Sequence, residues 1–144
     1  MFAHPLRNPH TWLVLYLVIL AAIAFWPTHV DERMGPFLRW VTRAISWLTY
    51  DRIEFAANIA LFVPFGVLLM LILNHRYLVL PIALVATVGI ETVQSFMGGR
   101  RTPSFTDVVA NTAGACVGML IVALVQWLRG RRAERDALTH HAAE

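Results

Sequence analysis

YLVLPIALVATVGIETVQSFM, residues 77–97, is the stretch whose reading decides the fold. About 20 apolar residues rising ~1.5 Å each cover the ~30 Å hydrocarbon core of a bilayer, so this run predicts a transmembrane helix. Glu91 sits about two turns inside its far boundary. An ion at membrane depth costs at least ~2.5–3.5 kcal/mol near the centre. Glu91 therefore needs a partner, a polar cavity or a chemical role, and Gln94 lies one turn further along the same helix.

The rest of the chain fits a membrane setting. Of its 144 residues, 58% are hydrophobic and 15% charged, against about 25% charged in soluble proteins. The basic residues are 12 arginines with no lysine, and a net charge of +3 scattered along the chain is too weak to suggest a nucleic-acid partner, so none is expected. Cys116 is the single cysteine, so no internal disulfide forms, and its place in an apolar run marks a small packing residue.

Three more apolar stretches flank the first. They give expected spans of about 9–26, 56–73 and 107–128 beside the one at 77–97, with only Asn74, His75 and Arg76 between the second and third. Asn8-Pro9 reads as an N-cap followed by a first-turn proline. Arg7 and Ala22-Ile23-Ala24 resemble a signal peptide, but Trp26-Pro27 is a poor cleavage context, so the first span reads as an uncleaved signal anchor. Residues 35–50 differ in kind. Phe37, Leu38, Trp40, Val41, Ala44, Ile45, Trp47 and Leu48 form one helical face, opposite Arg39, Thr42, Arg43, Ser46 and Thr49. Basic residues opposite tryptophans describe a helix lying in the membrane interface rather than a fifth span. The fold class expected is therefore all-α: a polytopic membrane helical bundle of four transmembrane helices plus one interfacial amphipathic helix, one domain with a polar tail from 129 to 144.

Arginine counts leave the orientation tied. Arg7, Arg76, Arg129, Arg131, Arg132 and Arg135 fall on one side, and Arg33, Arg39, Arg43, Arg52, Arg100 and Arg101 on the other. The second side also holds Asp31, Glu32, Asp51, Glu54, Glu91 and Asp107 and reads as a mixed-charge functional face. The first reads as the cytoplasmic anchor, with both termini inside and the protein in the bacterial inner membrane.

Up-and-down topology brings the unusual polar residues to one face. Asp51, Glu54 and Asn58 share a stripe entering the second span, Glu91, Gln94 and Ser95 a stripe leaving the third, and Asp107 and Asn111 a stripe entering the fourth. Arg101 stands in the loop between the last two, beside Arg100. Asn58, Glu91, Gln94, Arg101, Asp107 and Asn111 form the expected binding pocket. Structural readings compete: Ser104-Phe105-Thr106-Asp107 resembles a capping box, the asparagines could bond neighbouring helices, and Gly114-x-x-x-Gly118 is a small-residue packing face. Pro64 leaves the carbonyl of Ala60 without its helical donor and kinks the second span. Neither GxSxG, HExxH, CxxC nor a P-loop occurs, the histidines are scattered, and no metal or other cofactor is expected.

These residues are similar to those of the VanZ-like family of small bacterial membrane proteins. The resemblance rests on Asn58-Ile-Ala-Leu-Phe-Val-Pro64-Phe-Gly66, Ile90-Glu91-Thr-Val-Gln94, Arg101, Asp107-Val-Val-Ala-Asn111-Thr-Ala-Gly114 and Gly118, within a core of about 51–128. It implies a four- or five-helix membrane protein and, for the founding member, low-level resistance to the glycopeptide teicoplanin. It brings no catalytic mechanism with it. Three function classes stay open. The first is a cell-envelope protein binding membrane lipids, a lipid-linked envelope intermediate or an amphiphilic antibiotic. The second is a membrane enzyme acting on a phosphate-containing head group, with Glu91 as acid or base and Arg101 as phosphate clamp. The third is a structural subunit that docks a partner through Gly114, Gly118 and the face of the second span; a homo-oligomer is also open.

Overall fold

Every expected element is helical, and so is every regular element among the described residues. The computed structural model describes residues 8–25, 40, 42–45, 47–96 and 104–141, with 136–141 by backbone alone. Its elements are α1 (Pro9–Ala24), α2 (Tyr50–Ile72), a 3-10 turn (Arg76–Leu78), α3 (Val79–Phe96) and α4 (Phe105–His141). The Asn8 side chain accepts from the His10 amide and Pro9 opens the first turn of α1, as the cap signature predicts.

Three helical segments are long and apolar enough to cross a membrane: Tyr50–Ile72, Arg76–Phe96 and Phe105–Arg135. α1 is apolar throughout but has 16 residues, a rise of ~24 Å against the ~30 Å required. The structure thus carries three full-length candidates and one shorter apolar helix where four spans were expected. Of the interfacial helix expected at 35–50, residues 35–39, 41 and 46 lie outside the described residues, while 40 and 42–44 are helical and 47–49 are not. Within it, Trp40 and Trp47 are about two-thirds exposed, and Tyr50 already belongs to α2. α2 begins earlier than the expected Ala56, because its polar first turns are helical although not apolar. The polar tail is helical too, continuing α4 without a break to His141.

Large apolar side chains point outward on every described helix of the bundle, among them Val14, Val18, Val85, Val88, Leu120 and Leu124. Such a surface requires lipid rather than water around it, and the protein is a membrane protein. Inside lipid there is no hydrophobic drive between helices, so close backbone packing holds them. α4 is the central element. Its contact with α2 is the most extensive in the bundle, followed by those of α3 with α4 and α1 with α2, whereas the chain neighbours α2 and α3 touch little. A methyl group at Gly66 would strike the carbonyl of Ala115, one at Gly114 that of Ile59, and one at Gly118 that of Val63. With Ala110 and Ala115 fully buried, the α2–α4 seam is main chain against main chain.

α1 is attached to α2 by a different device. Pro64 has no amide hydrogen, so the carbonyl of Ala60 lacks its helical donor. One residue on, the carbonyl of Leu61 accepts a 2.6 Å hydrogen bond from the Tyr16 hydroxyl. The Tyr16 ring stacks on Phe65 at 6.0 Å between centroids, and Phe65 meets Phe62 edge-on at 5.7 Å. These offset and edge geometries are the favourable ones for aromatic pairs.

The seam separates glycines by consequence. Gly118→Ala is expected to force the helices apart and lower stability by about 1–3 kcal/mol. Gly89→Ala meets open space within 4 Å and is expected to gain about 0.5–1 kcal/mol from helix propensity. Denaturant titration in mild detergent, followed by circular dichroism, measures both.

Candidate functional site

The register of α3 sets the site. Its buried residues are Val79, Ala83, Thr87 and Glu91, every fourth position, and residues so spaced stand above one another on one helix face. Thr87 is fully buried and Glu91 is 8% exposed. Thr87 Oγ1 accepts from Asn111 Nδ2 of α4 at 2.7 Å. One turn on, Glu91 Oε2 accepts from the backbone amide of Ser104 at 3.1 Å. Another turn on, Gln94 Nε2 donates to the carbonyl of Ala24 at 2.9 Å.

Two of these bonds cap other helices. Ser104 immediately precedes α4, where backbone amides have no intrahelical acceptor. In the expected capping box Asp107 would reach back to that amide. Instead Asp107 Oδ1 accepts from Asn58 Nδ2 of α2 at 2.9 Å, and the carboxylate of Glu91 takes the Ser104 amide. Negative charge there also complements the helix dipole. Ala24 ends α1, where the orphan groups are carbonyls, and Gln94 supplies the matching donor. An acid thus meets a helix start and an amide N–H meets a helix end, both from one face of α3.

Between these helix ends lies a cavity of about 60 Å³, room for a few waters or one small polar group. Asn58, Glu91, Gln94, Asp107 and Asn111 line its polar side, and Leu20, Ile23, Leu61, Phe62 and Ile90 its apolar side. Asn111 is 5% exposed, and its Oδ1 is buried with no hydrogen-bond partner, as is Thr112 Oγ1. The polar wall is rich in acceptors, so it suits a group that donates hydrogen bonds, such as a hydroxyl or an ammonium.

Five of the six expected pocket residues therefore line one cavity. The sixth, Arg101, lies outside the described residues, as does Arg100. Asp51 is exposed, Glu54 half-buried and Ser95 exposed, with the Ser95 hydroxyl donating to the carbonyl of Thr92; none of the three lines the cavity. Gly66, Gly114 and Gly118 belong to the seam, and Pro64 stands exposed within α2. Thr87 and Tyr16 escaped the sequence reading. Thr87 sits four residues before Glu91, on the stripe that already contained Gln94, and Tyr16 is the single hydroxyl-bearing residue within the apolar run of α1 from Trp12 to Phe25. Among the described residues, no group of three His, Cys, Asp or Glu could hold a metal ion.

The family model VanZ/LLP1 matches residues 13–126, a range that contains every residue lining the cavity. No curated protein and no solved structure matches the chain.

Removing the cap separates its hydrogen bond from its charge. Glu91→Leu strands the Ser104 amide and is expected to cost about 1–3 kcal/mol of stability. Glu91→Gln keeps an acceptor for the Ser104 amide and loses the charge–dipole contribution, about 0.3–1 kcal/mol. Unfolding titrations in detergent give both values, and equal losses would show that charge rather than the hydrogen bond stabilises α4.

Proposed function

This chain belongs to the VanZ/LLP1 family, and from that premise we propose that it is a cell-envelope binding protein whose cavity holds the polar end of an amphiphile. The observation that carries the reading is Asn111 Oδ1, buried on the cavity wall without a partner. Each of the other polar residues lining the cavity already makes a hydrogen bond to another part of the chain. An unsatisfied buried amide oxygen costs about 1–3 kcal/mol, so a ligand bringing a donor recovers that loss. The apolar wall, Leu20 and Ile23 of α1, Leu61 and Phe62 of α2 and Ile90 of α3, then receives the first carbons of the ligand's chain. A lipid-linked envelope intermediate and an amphiphilic glycopeptide of the teicoplanin type both offer hydroxyl groups on a body with an apolar tail.

The reading includes a topology. α1 serves as a fourth, short span, both termini are cytoplasmic, and the cavity opens toward the outer face of the inner membrane. Support comes from Arg129, Arg131, Arg132 and Arg135, all exposed at the end of α4 remote from the cavity, where the positive-inside rule favours cytoplasm.

Binding is tested by native mass spectrometry of the detergent-purified chain with a polyprenyl-linked saccharide and with teicoplanin as separate probes. The wild type is expected to retain at least one, and Asn111→Leu combined with Asp107→Asn to weaken it at least about tenfold. Failure to retain either probe, or retention that ignores both substitutions, removes the reading.

Orientation has its own measurement. In a Cys116→Ala background, Thr106→Cys is expected to react with a membrane-impermeant maleimide on intact cells, and Glu134→Cys only after permeabilisation. The reverse pattern would place the cavity on the cytoplasmic side.

A further inference from the structure

α4 continues well past its apolar stretch. From Val108 to Leu128 it rises ~30 Å, the thickness of the hydrocarbon core. Trp127 therefore falls at the boundary of the bilayer, with Arg131 and Arg135 ~6 Å and ~12 Å beyond it, at head-group depth. At 3.6 residues per turn, Arg131 and Arg135 lie ~40° and ~80° around the helix from Trp127 and Arg132 ~140° on the same flank, while Arg129 lies ~160° away on the other. Residues 129–135 hold four arginines and the single acid Glu134, a net charge of +3.

Helix geometry aims these side chains. The Cα–Cβ bonds of an α-helix tilt toward its N-terminus, and long side chains follow them over the preceding turn. α4 leaves the membrane by its C-terminal end, so the tilt carries the guanidinium groups back toward the bilayer. Arg131 does this: its guanidinium carbon lies 4.5 Å from the centroid of the Trp127 ring, one turn earlier. A cation–π contact of that length fixes one arginine at the level of an interfacial tryptophan. The forked donors of arginine match phosphate oxygens.

We propose that Trp127, Arg131, Arg132 and Arg135 form a binding site for the head group of an anionic phospholipid. The Trp127 ring orients Arg131, and Arg135 on the same face with Arg132 on its flank supply the excess charge that distinguishes an anionic head group from a zwitterionic one. The site is about 30 Å along α4 from the cavity and does not depend on what the cavity binds.

The test uses the full chain in nanodiscs of equal phosphatidylglycerol and phosphatidylcholine, released into the mass spectrometer so that retained lipid is counted. The wild type is expected to keep phosphatidylglycerol over phosphatidylcholine by at least about fivefold, with the preference falling in 0.5 M salt. The triple variant Arg131→Gln, Arg132→Gln, Arg135→Gln should lose the preference, and Trp127→Ala should reduce it severalfold with the charge intact. Arg43→Gln with Arg52→Gln, at the opposite end of the bundle, should leave it unchanged. All the substituted side chains are exposed, and an unchanged circular dichroism spectrum confirms that each variant is folded. Equal retention of the two lipids by the wild type, or a triple variant as selective as the wild type, would overturn the proposal. So would displacement of the lipid by millimolar inorganic phosphate, which would make the ligand a soluble anion.

Discussion

The bundle depends on α3 finishing helices to which it does not belong. A helix in lipid must satisfy its end groups from within the protein, because water is not there to do so. α4 starts, and α1 stops, near the same end of the bundle, one leaving amides without acceptors and the other carbonyls without donors. Glu91 and Gln94, three residues apart on one face, answer both needs with opposite chemistry. That explains how an acidic residue comes to stand at depth in an apolar helix. It also turns the residue with the strongest claim to reactivity into one with a structural duty.

The α2–α4 seam and the polar cavity are two results of one helix arrangement. Gly66, Gly114 and Gly118 let the backbones of α2 and α4 meet, and the same register presents Asn58 to Asp107, while Asn111 of α4 turns to Thr87 of α3. α1, shorter than its neighbours, closes the cavity with Leu20, Ile23 and Ala24. It is held there by Tyr16 at mid-height and Gln94 at its end. The cavity remains because these contacts use most of its polar groups and leave Asn111 Oδ1 over.

How much of this could be read beforehand depended on whether the cause was periodic or relational. Apolar runs announce helices, and alternating chain direction alone brings the starts of α2 and α4 to the end of α3. Asn58, Glu91, Gln94, Asp107 and Asn111 could therefore be grouped from sequence. Their partners could not, since both Glu91 and Gln94 bond main-chain atoms, and a backbone amide has no letter in a sequence. Asp107 shows the limit well. Local spacing matches it to Ser104, but Asn58 competes for it across the bundle while Glu91 takes the amide that the local rule assigns to it. The length of α1 and the helical state of residues 129–141 also escaped, because hydropathy marks where a chain is apolar rather than where its helix begins and ends.

The main-chain nature of the two caps has a bearing on how the family can vary. A contact between two side chains ties two positions together, so that a change at one invites a change at the other. Glu91 and Gln94 instead grip atoms present at any residue other than, for the amide, proline. Positions 104 and 24 are then free to drift while 91 and 94 are held, and paired substitutions between them need never appear. Across relatives, the junction would show as constancy on α3 alone, with no correlated partner to point to what it holds.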